Sequence, residues 1–572
     1  MRFREYVFMG LIFLLLFLLC IVTSTDFTQD LGRHLTLGKI IIEGRSVPHT
    51  NLFSYTYPTY EFINHHWLSE VIFFVLFQIY SSSLIILKGL IFLAVVGISV
   101  MGGKKNTSWT AVGLSILLSL PFILNRNTIR PELFGYLGFS ILLLFVVQES
   151  IFKKHIWTIP ILMLLWINMH VSFVFGLLLL GFLGVQIMLR GDKRKTKLKM
   201  LSWILFGGVV LFLNPNGLQG VFQPFTIFRN YGYEIMENQS LFFTASITPS
   251  IFVWYAVGYS AVTLLMGGML FFLKKYVLSI LVFLFYALSF FQVRHFPFFG
   301  IICIPAGALM IEFIINKINK KRKVVEVFGT GLASAIILII MIGLITNLWY
   351  RMYDSSQSFG LGYQDAGIAS IEFMKKNNLP PHVFNNFDIG GYFIYHLYPK
   401  YKPFIDNRPE AYPKTFIQNE YIALQTDDDI RKKMFQKYDI HTVFFTHTDQ
   451  TPWGQIFLKN IMSDPSWKVV YVDSYIIILT DNTSFTDVRS QLSFADSLIY
   501  LQKDSLAVLR LLSLFSRMQA YPIQQNAVFS YALELNPNSC LVRKLLIQNY
   551  KQQIELYPRA VNLEHDSWFC FY

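Results

Sequence analysis

Acids, histidines and arginines are types that move protons and hold charged groups, and in this chain they gather in a few short stretches. TDFTQDLGRH carries Asp26, Asp30, Arg33 and His34 directly behind an apolar run. HHWLSE brings His65, His66 and Glu70; NRNTIRPE brings Arg126, Arg130 and Glu132; WINMH brings Asn168 and His170. YGYEIMENQ adds Glu234 and Glu237, and VRH adds Arg294 and His295. His66 and Glu70 stand four apart on one helical face, a spacing that suits two metal ligands or a plain surface pair. NPNG reads as a turn at the end of a helix. Any one His or Arg at a helix end is most simply an anchor or a cap. Their concentration on one face of a membrane points to a site, because ionisable groups at membrane depth are costly.

That face is defined by the elements that carry the stretches. The chain has 572 residues, 54% of them hydrophobic and 17% aromatic with 55 Phe, too apolar for a single soluble domain. Apolar runs close to the length of a membrane-crossing helix fill the first 350 residues. They predict eleven spans, at 7–23, 82–101, 108–124, 132–149, 156–170, 172–189, 201–213, 249–272, 276–291, 297–316 and 328–349. Trp67 to Tyr80 is too short to cross and reads as a re-entrant or interfacial helix.

Charge supports this count. With the amino terminus inside, the inner loops hold nineteen Lys and Arg, from Arg2 to Lys323, against seven in the outer loops. That is the bias expected of cytoplasmic loops. The net charge of +13 then records topology and contact with anionic lipid, with no call for nucleic acid. An odd number of spans puts the first loop, the other polar stretches and everything after Tyr350 outside the cytoplasm. The amino-terminal run is expected to stay as an anchor, since no small-residue cleavage site precedes Asp26.

The expected fold is a polytopic α-helical membrane protein with three regions: a transmembrane domain over 1–350, an extracytoplasmic α/β domain over 351–484, and a helical tail over 485–572. HVFNNFDIGGYFIYHL, YDIHTVFFTH and WKVVYVDSYIIILTD alternate short β-branched and aromatic runs with helical stretches. The Gly pair in FDIGGY reads as a strand-to-helix turn; FIDNRPE reads most simply as a turn, or as a polar strand end that could approach the membrane site or bind an acceptor. NAVFSYALELNPNSCLVRKLLIQNY is similar to one tetratricopeptide repeat. Cys20 and Cys303 fall in spans, whereas Cys540 and Cys570 could form a disulfide in an oxidising compartment.

DLGRHLTLGKIIIEGRSVP followed by SYTYPTYEFINHHWLSEVIF resembles the first extracytoplasmic loop of GT-C class glycosyltransferases, polytopic enzymes that take sugars from lipid phosphate donors. Members carry an acid just after the first span, a helix ending in Gly, a short sequence reaching Pro, and a Trp-containing segment before a re-entrant helix. Asp30, Gly44, Pro48 and Trp67 follow that order. RPELFGY and WINMHVSFVFG are similar to parts of a bacterial subgroup. The family acid usually sits in an Asp-Glu or Asp-x-Asp setting; here Asp26 and Asp30 are four apart and both are candidates, Asp30 being favoured. NHHWLSE replaces the Pro-Pro or Lys-Pro-Pro element of several families.

The resemblance implies a carboxylate base, Asp30, that takes the proton of an acceptor hydroxyl as it attacks the anomeric carbon. It implies Arg126, Arg130, Arg294 and His295 around the departing phosphate, and Arg33, His34, His65, His66, Glu70, Asn168 and His170 as substrate-binding groups. Some relatives use a divalent metal ion, to which His66 and Glu70 would contribute; no metal site is assigned. The implied partners are a polyprenyl-phosphate-linked sugar, membrane lipid and an extracytoplasmic acceptor, and the implied location is the bacterial cytoplasmic (inner) membrane. A transporter or flippase would need gating groups on the inner face, where acids and histidines are scarce. A non-catalytic scaffold would tolerate Asp30→Asn, which a transferase would not.

Overall fold

The computed structural model describes residues 2–25, 27, 29–104, 107–227, 231–247, 250–318, 322–482, 495–518, 524–566 and 570. They form two compact units, one comprising Met1–Ile21, Leu37–Val47 and Ile63–Ile342, the other Val22–Thr36, Pro48–Phe62 and Gly343–Tyr572. Two pieces of the first loop therefore belong with the carboxyl-terminal polypeptide.

The first unit is helical. Among the described residues, seven helices are long and apolar enough to cross a membrane: Phe3–Cys20, Ser83–Gly103, Trp109–Arg126, Glu149–Met169, Ile251–Phe272, Val293–Lys317 and Glu326–Ile345. An eighth candidate is the pair Arg194–Phe212 and Gly217–Thr226, bent by 98° where NPNG turns the chain. Asn214 makes that turn, donating to the Leu211 and Gly217 carbonyls and accepting from the Asn216 amide. Glu132–Val147, Phe173–Leu189 and Tyr276–Phe291 are shorter apolar helices. Each of the eleven expected spans thus falls on a helix, and seven or eight satisfy length and composition. Trp67–Ile79, 13 residues long, rises only about 20 Å, well under the hydrocarbon thickness.

Side-chain burial fits a lipid-facing exterior, with Leu189, Leu205, Ile251 and Phe272 exposed and Ile116, Phe139 and Leu281 buried. Polar contacts also join the helices. Ser115 donates to the Cys303 and Ile304 carbonyls, and Glu312 accepts from the Ser108 amide and hydroxyl at the start of helix Trp109–Ile123, where a carboxylate meets unpaired amides and a positive dipole end.

The second unit is the expected α/β domain with additions. Its strands are β1 (His382–Asn385), β2 (Lys402–Pro403), β3 (Thr442–Thr446), β4 (Trp467–Val472) and β5 (Ile476–Asp481), in the order β2-β1-β3-β5-β4. β1 runs parallel to β2 and β3, and β5 is antiparallel to β3 and β4. Helix Gly390–Leu397 makes the crossover from β1 to β2. β2 ends on Pro403, which has no amide to donate and so suits an edge. Asp473 closes the β4–β5 hairpin by accepting from the Tyr475 and Ile476 amides. Asp427 and Thr451 cap helices Asp428–Lys437 and Pro452–Ser463. Phe384, Phe404, Tyr421, Phe445 and Phe457 pack as an aromatic core.

The tail contains helices Ser505–Met518, Gln525–Leu535, Cys540–Lys551 and Tyr557–Asp566, each packed on the next. Asn536 and Pro537 lie between the second and the third. Cys540 and Cys570 are joined in a disulfide.

Candidate active site

The predicted site residues fall into two groups, one in each unit. In the second unit, the chain leaving the first helix is held by backbone bonds to 358–364: Thr23 donates to Ser358, Ser24 to Gly362, and Gln364 back to Ser24. Asp30 follows, immediately before helix Leu31–Gly44. The packing here is tight enough to require glycine. A Cβ at Gly32 would lie 2.7 Å from Tyr395 Cβ, and one at Gly391 would lie 2.2 Å from the Gln29 carbonyl oxygen. The Gly pair in FDIGGY is therefore a strand-to-helix turn whose missing side chain lets the Gln29–Asp30 backbone approach.

Asp30 Oδ1 accepts from Asn407 Nδ2 at 2.6 Å and from Arg33 Nη2 at 3.1 Å. Arg33 Nε also donates to Asn407 Oδ1 at 3.3 Å, and its Nη2 lies 3.4 Å from His34 Nε2. Asp30 keeps 18% of its side chain exposed and Arg33 7%, so the carboxylate is paired yet accessible. Asn407 belongs to FIDNRPE, whose neighbouring Asp406 and Arg408 are buried partners. Asp26 lies outside the described residues.

In the first unit, Arg126, Arg130 and Arg294 are drawn together by two carboxylates. Glu132 receives Arg126 Nε at 2.8 Å and Arg294 Nη2 at 2.5 Å. Glu237 receives Nη1 of Arg126 at 2.7 Å and Nη1 of Arg130 at 2.8 Å. Arg294 also donates to Asn238. Three guanidiniums thus meet at two carboxylates. Burial pushes the Glu237 carboxyl up, but Arg126 and Arg130 outweigh it and hold the group below the usual carboxylate range.

Histidines adjoin this network. His170 Nε2 lies 3.9 Å from Glu132 Oε1 and its Nδ1 is 2.7 Å from Ser172 Oγ. The His66 ring stacks on His170 at 5.2 Å, and His65 sits 4.0 Å from His66. Asn168 accepts from Trp67 Nε1 at 2.8 Å, and Glu70 accepts from Asn64 at 2.7 Å. His66 turns Nδ1 toward the Met169 carbonyl. Among the described residues there is no group of three or more His, Cys, Asp or Glu that could hold a metal ion. His295 lays its ring edge-on to Phe175 and points Nδ1 at the Leu288 carbonyl.

The sequence puts Glu132 and Glu237 on the same face as these arginines but gives them no role; the available signal is that the basic residues of that face are nearly all Arg. Asn407 is marked only by its place in FIDNRPE, and nothing local names Asp30, 377 positions away, as its partner.

The fold is that of the GT-C class of integral-membrane glycosyltransferases that the first loop resembles. The structure is similar to the Archaeoglobus fulgidus oligosaccharyltransferase tethered with an acceptor peptide containing the NVT sequon, with TM-score 0.53 and 11% identity over 80% of this chain and 71% of that one. The apo form of the same enzyme gives TM-score 0.52 and 10% identity over the same shares. ArnT from Cupriavidus metallidurans in the apo state gives TM-score 0.46 and 10% identity over 83% of this chain and 97% of that one. No protein-family model matches the sequence, and no curated protein does.

Proposed function

We propose that the protein is a membrane glycosyltransferase that moves a sugar from a polyprenyl-phosphate donor to a hydroxyl or comparable nucleophile of an acceptor outside the cytoplasm, at the bacterial inner membrane. The observation that carries this reading is the arginine network: three guanidiniums gathered at two carboxylates bring together the forked donors that suit a phosphate. Lipid phosphate leaves with growing negative charge, and donors already in place stabilise that charge as it develops.

In this reading the acceptor oxygen forms a bond to the anomeric carbon while the bond from that carbon to the phosphate oxygen breaks. The acceptor proton passes to the Asp30 carboxylate, and the phosphate departs as an anion held by Arg126, Arg130 and Arg294. Arg33, His34, His65, His66, Asn168 and His170 bind the substrates, and Glu70 supports them through Asn64. Asp26 remains the second candidate base. His295 is a donor-binding candidate through its place beside Arg294. Incubating purified protein in lipid with radiolabelled polyprenyl-phosphate sugars should transfer label to an envelope acceptor, and Asp30→Asn should abolish turnover while leaving donor binding. Transfer undiminished in that variant would remove Asp30 as the base.

A further inference from the structure

We propose that Asn407 is a positioning residue for the Asp30 carboxylate; this rests on Asp30 being the base. An amide can face a carboxylate with either end, and only the NH2 end is attractive. Here the ambiguity is removed by Arg33, whose Nε donates to Asn407 Oδ1 at 3.3 Å and so turns Nδ2 toward Asp30 Oδ1 at 2.6 Å. Arg33 Nη2 reaches the same oxygen at 3.1 Å, closing a ring of three side chains.

The backbone beneath Asn407 is fixed from both sides. Asp406 and Arg408 are 0% and 1% exposed and bonded to each other, and Arg408 also donates to Asn51. A Cβ at Gly391 would come within 3.3 Å of both Asn407 amide atoms. Asn407 itself is only partly buried, and both ends of its amide are engaged by Asp30 and Arg33. Hydrogen bonds to the charged form keep a carboxylate ionised and in one rotamer, which a base needs before the acceptor arrives.

The test follows the protonation of Asp30 directly. The full-length protein in lipid is treated with a water-soluble carbodiimide and glycine ethyl ester, which modify the protonated carboxyl, and labelling at Asp30 is read by tandem mass spectrometry against pH. Asn407→Ala should raise the labelling midpoint by a few tenths of a pH unit, and Asn407→Asp, which sets a second carboxylate beside the first, by about one unit or more. In transfer assays both variants should lower kcat about tenfold with KM for the donor unchanged, because the base is no longer held in place, and the loss should persist at high pH, where the carboxylate is ionised in every variant. Equal midpoints in all three proteins would overturn the proposal. Should Asn407→Asp fail to fold, Asn407→Ala decides alone. Transfer retained by Asp30→Asn would instead overturn the base assignment, whatever the labelling shows.

Discussion

The Asp406 carboxylate is gripped at both oxygens by the Arg408 guanidinium, Nε to Oδ1 and Nη2 to Oδ2, each at 2.7 Å. Tyr412 adds a hydrogen bond to Oδ2, and the guanidinium lies over the rings of Phe62 and Phe53. A forked pair of this kind offsets its desolvation only while both partners are present.

Arg408→Leu should therefore destabilise the α/β unit by about 3–5 kcal/mol, because it strands a buried carboxylate. Urea unfolding followed by tryptophan fluorescence reads this, and an unchanged midpoint would show that the pair is dispensable.

Gly391→Ala should cost turnover more than stability. The added Cβ meets the Gln29 carbonyl oxygen at 2.2 Å, so the turn bearing Asp30 must shift, and displacement of about 1 Å is worth on the order of 100-fold in rate. Overpacking of this size costs about 1–3 kcal/mol. A transfer assay beside a thermal melt separates the two effects.

Glu237 links Arg126 to Arg130, and its carboxyl is held below the usual range by those two cations. A depressed carboxylate contributes stability that is present above the unfolded value, about 4.3, and is lost as the pH falls through the folded one. Glu237→Gln should leave the helical unit less stable at neutral pH and flatten its acid sensitivity below about pH 4.3. With that carboxylate neutralised Arg126 and Arg130 lose a competing anion, so the variant should bind polyprenyl phosphate more tightly, as measured in detergent by calorimetry.

His447 is buried, with Nε2 2.8 Å from the Asp473 carbonyl, and burial pushes its imidazolium down to about 4. The unfolded chain titrates near 6.5, so the contribution is complete above about pH 6.5 and declines as the pH falls toward 4. The total is about 3 kcal/mol. His447→Gln should narrow the gap between urea midpoints at pH 7.5 and pH 4.5.

The Cys540–Cys570 disulfide closes a loop of 30 residues, for which chain entropy gives about 3.5 kcal/mol. Cys540→Ser or reduction should open the tail to limited proteolysis while leaving the sheet protected.

Local pattern was enough for every element that depends on its own residues. Apolar runs such as 82–101 and 249–272 became helices Ser83–Gly103 and Ile251–Phe272, because each helix satisfies its own backbone hydrogen bonds and needs only apolar side chains to face lipid. The strands and the turn after HVFN were legible for the same reason, as period and glycine are local signals. Span lengths were less so: the runs at 132–149, 172–189 and 276–291 lie on helices too short to pass for full spans by length.

What pairs with what was settled only in three dimensions. The residues that grip Asp30 are Arg33, one helical turn away, and Asn407, for which FIDNRPE offered a turn or a stretch that could approach the site but no partner. That two carboxylates, Glu132 and Glu237, gather three arginines could not be read from five positions spread over 169 residues. A charged side chain carries no sequence mark of its partner, since the attraction depends on distance in space, and the distance is set by helix packing and loop closure far from either residue.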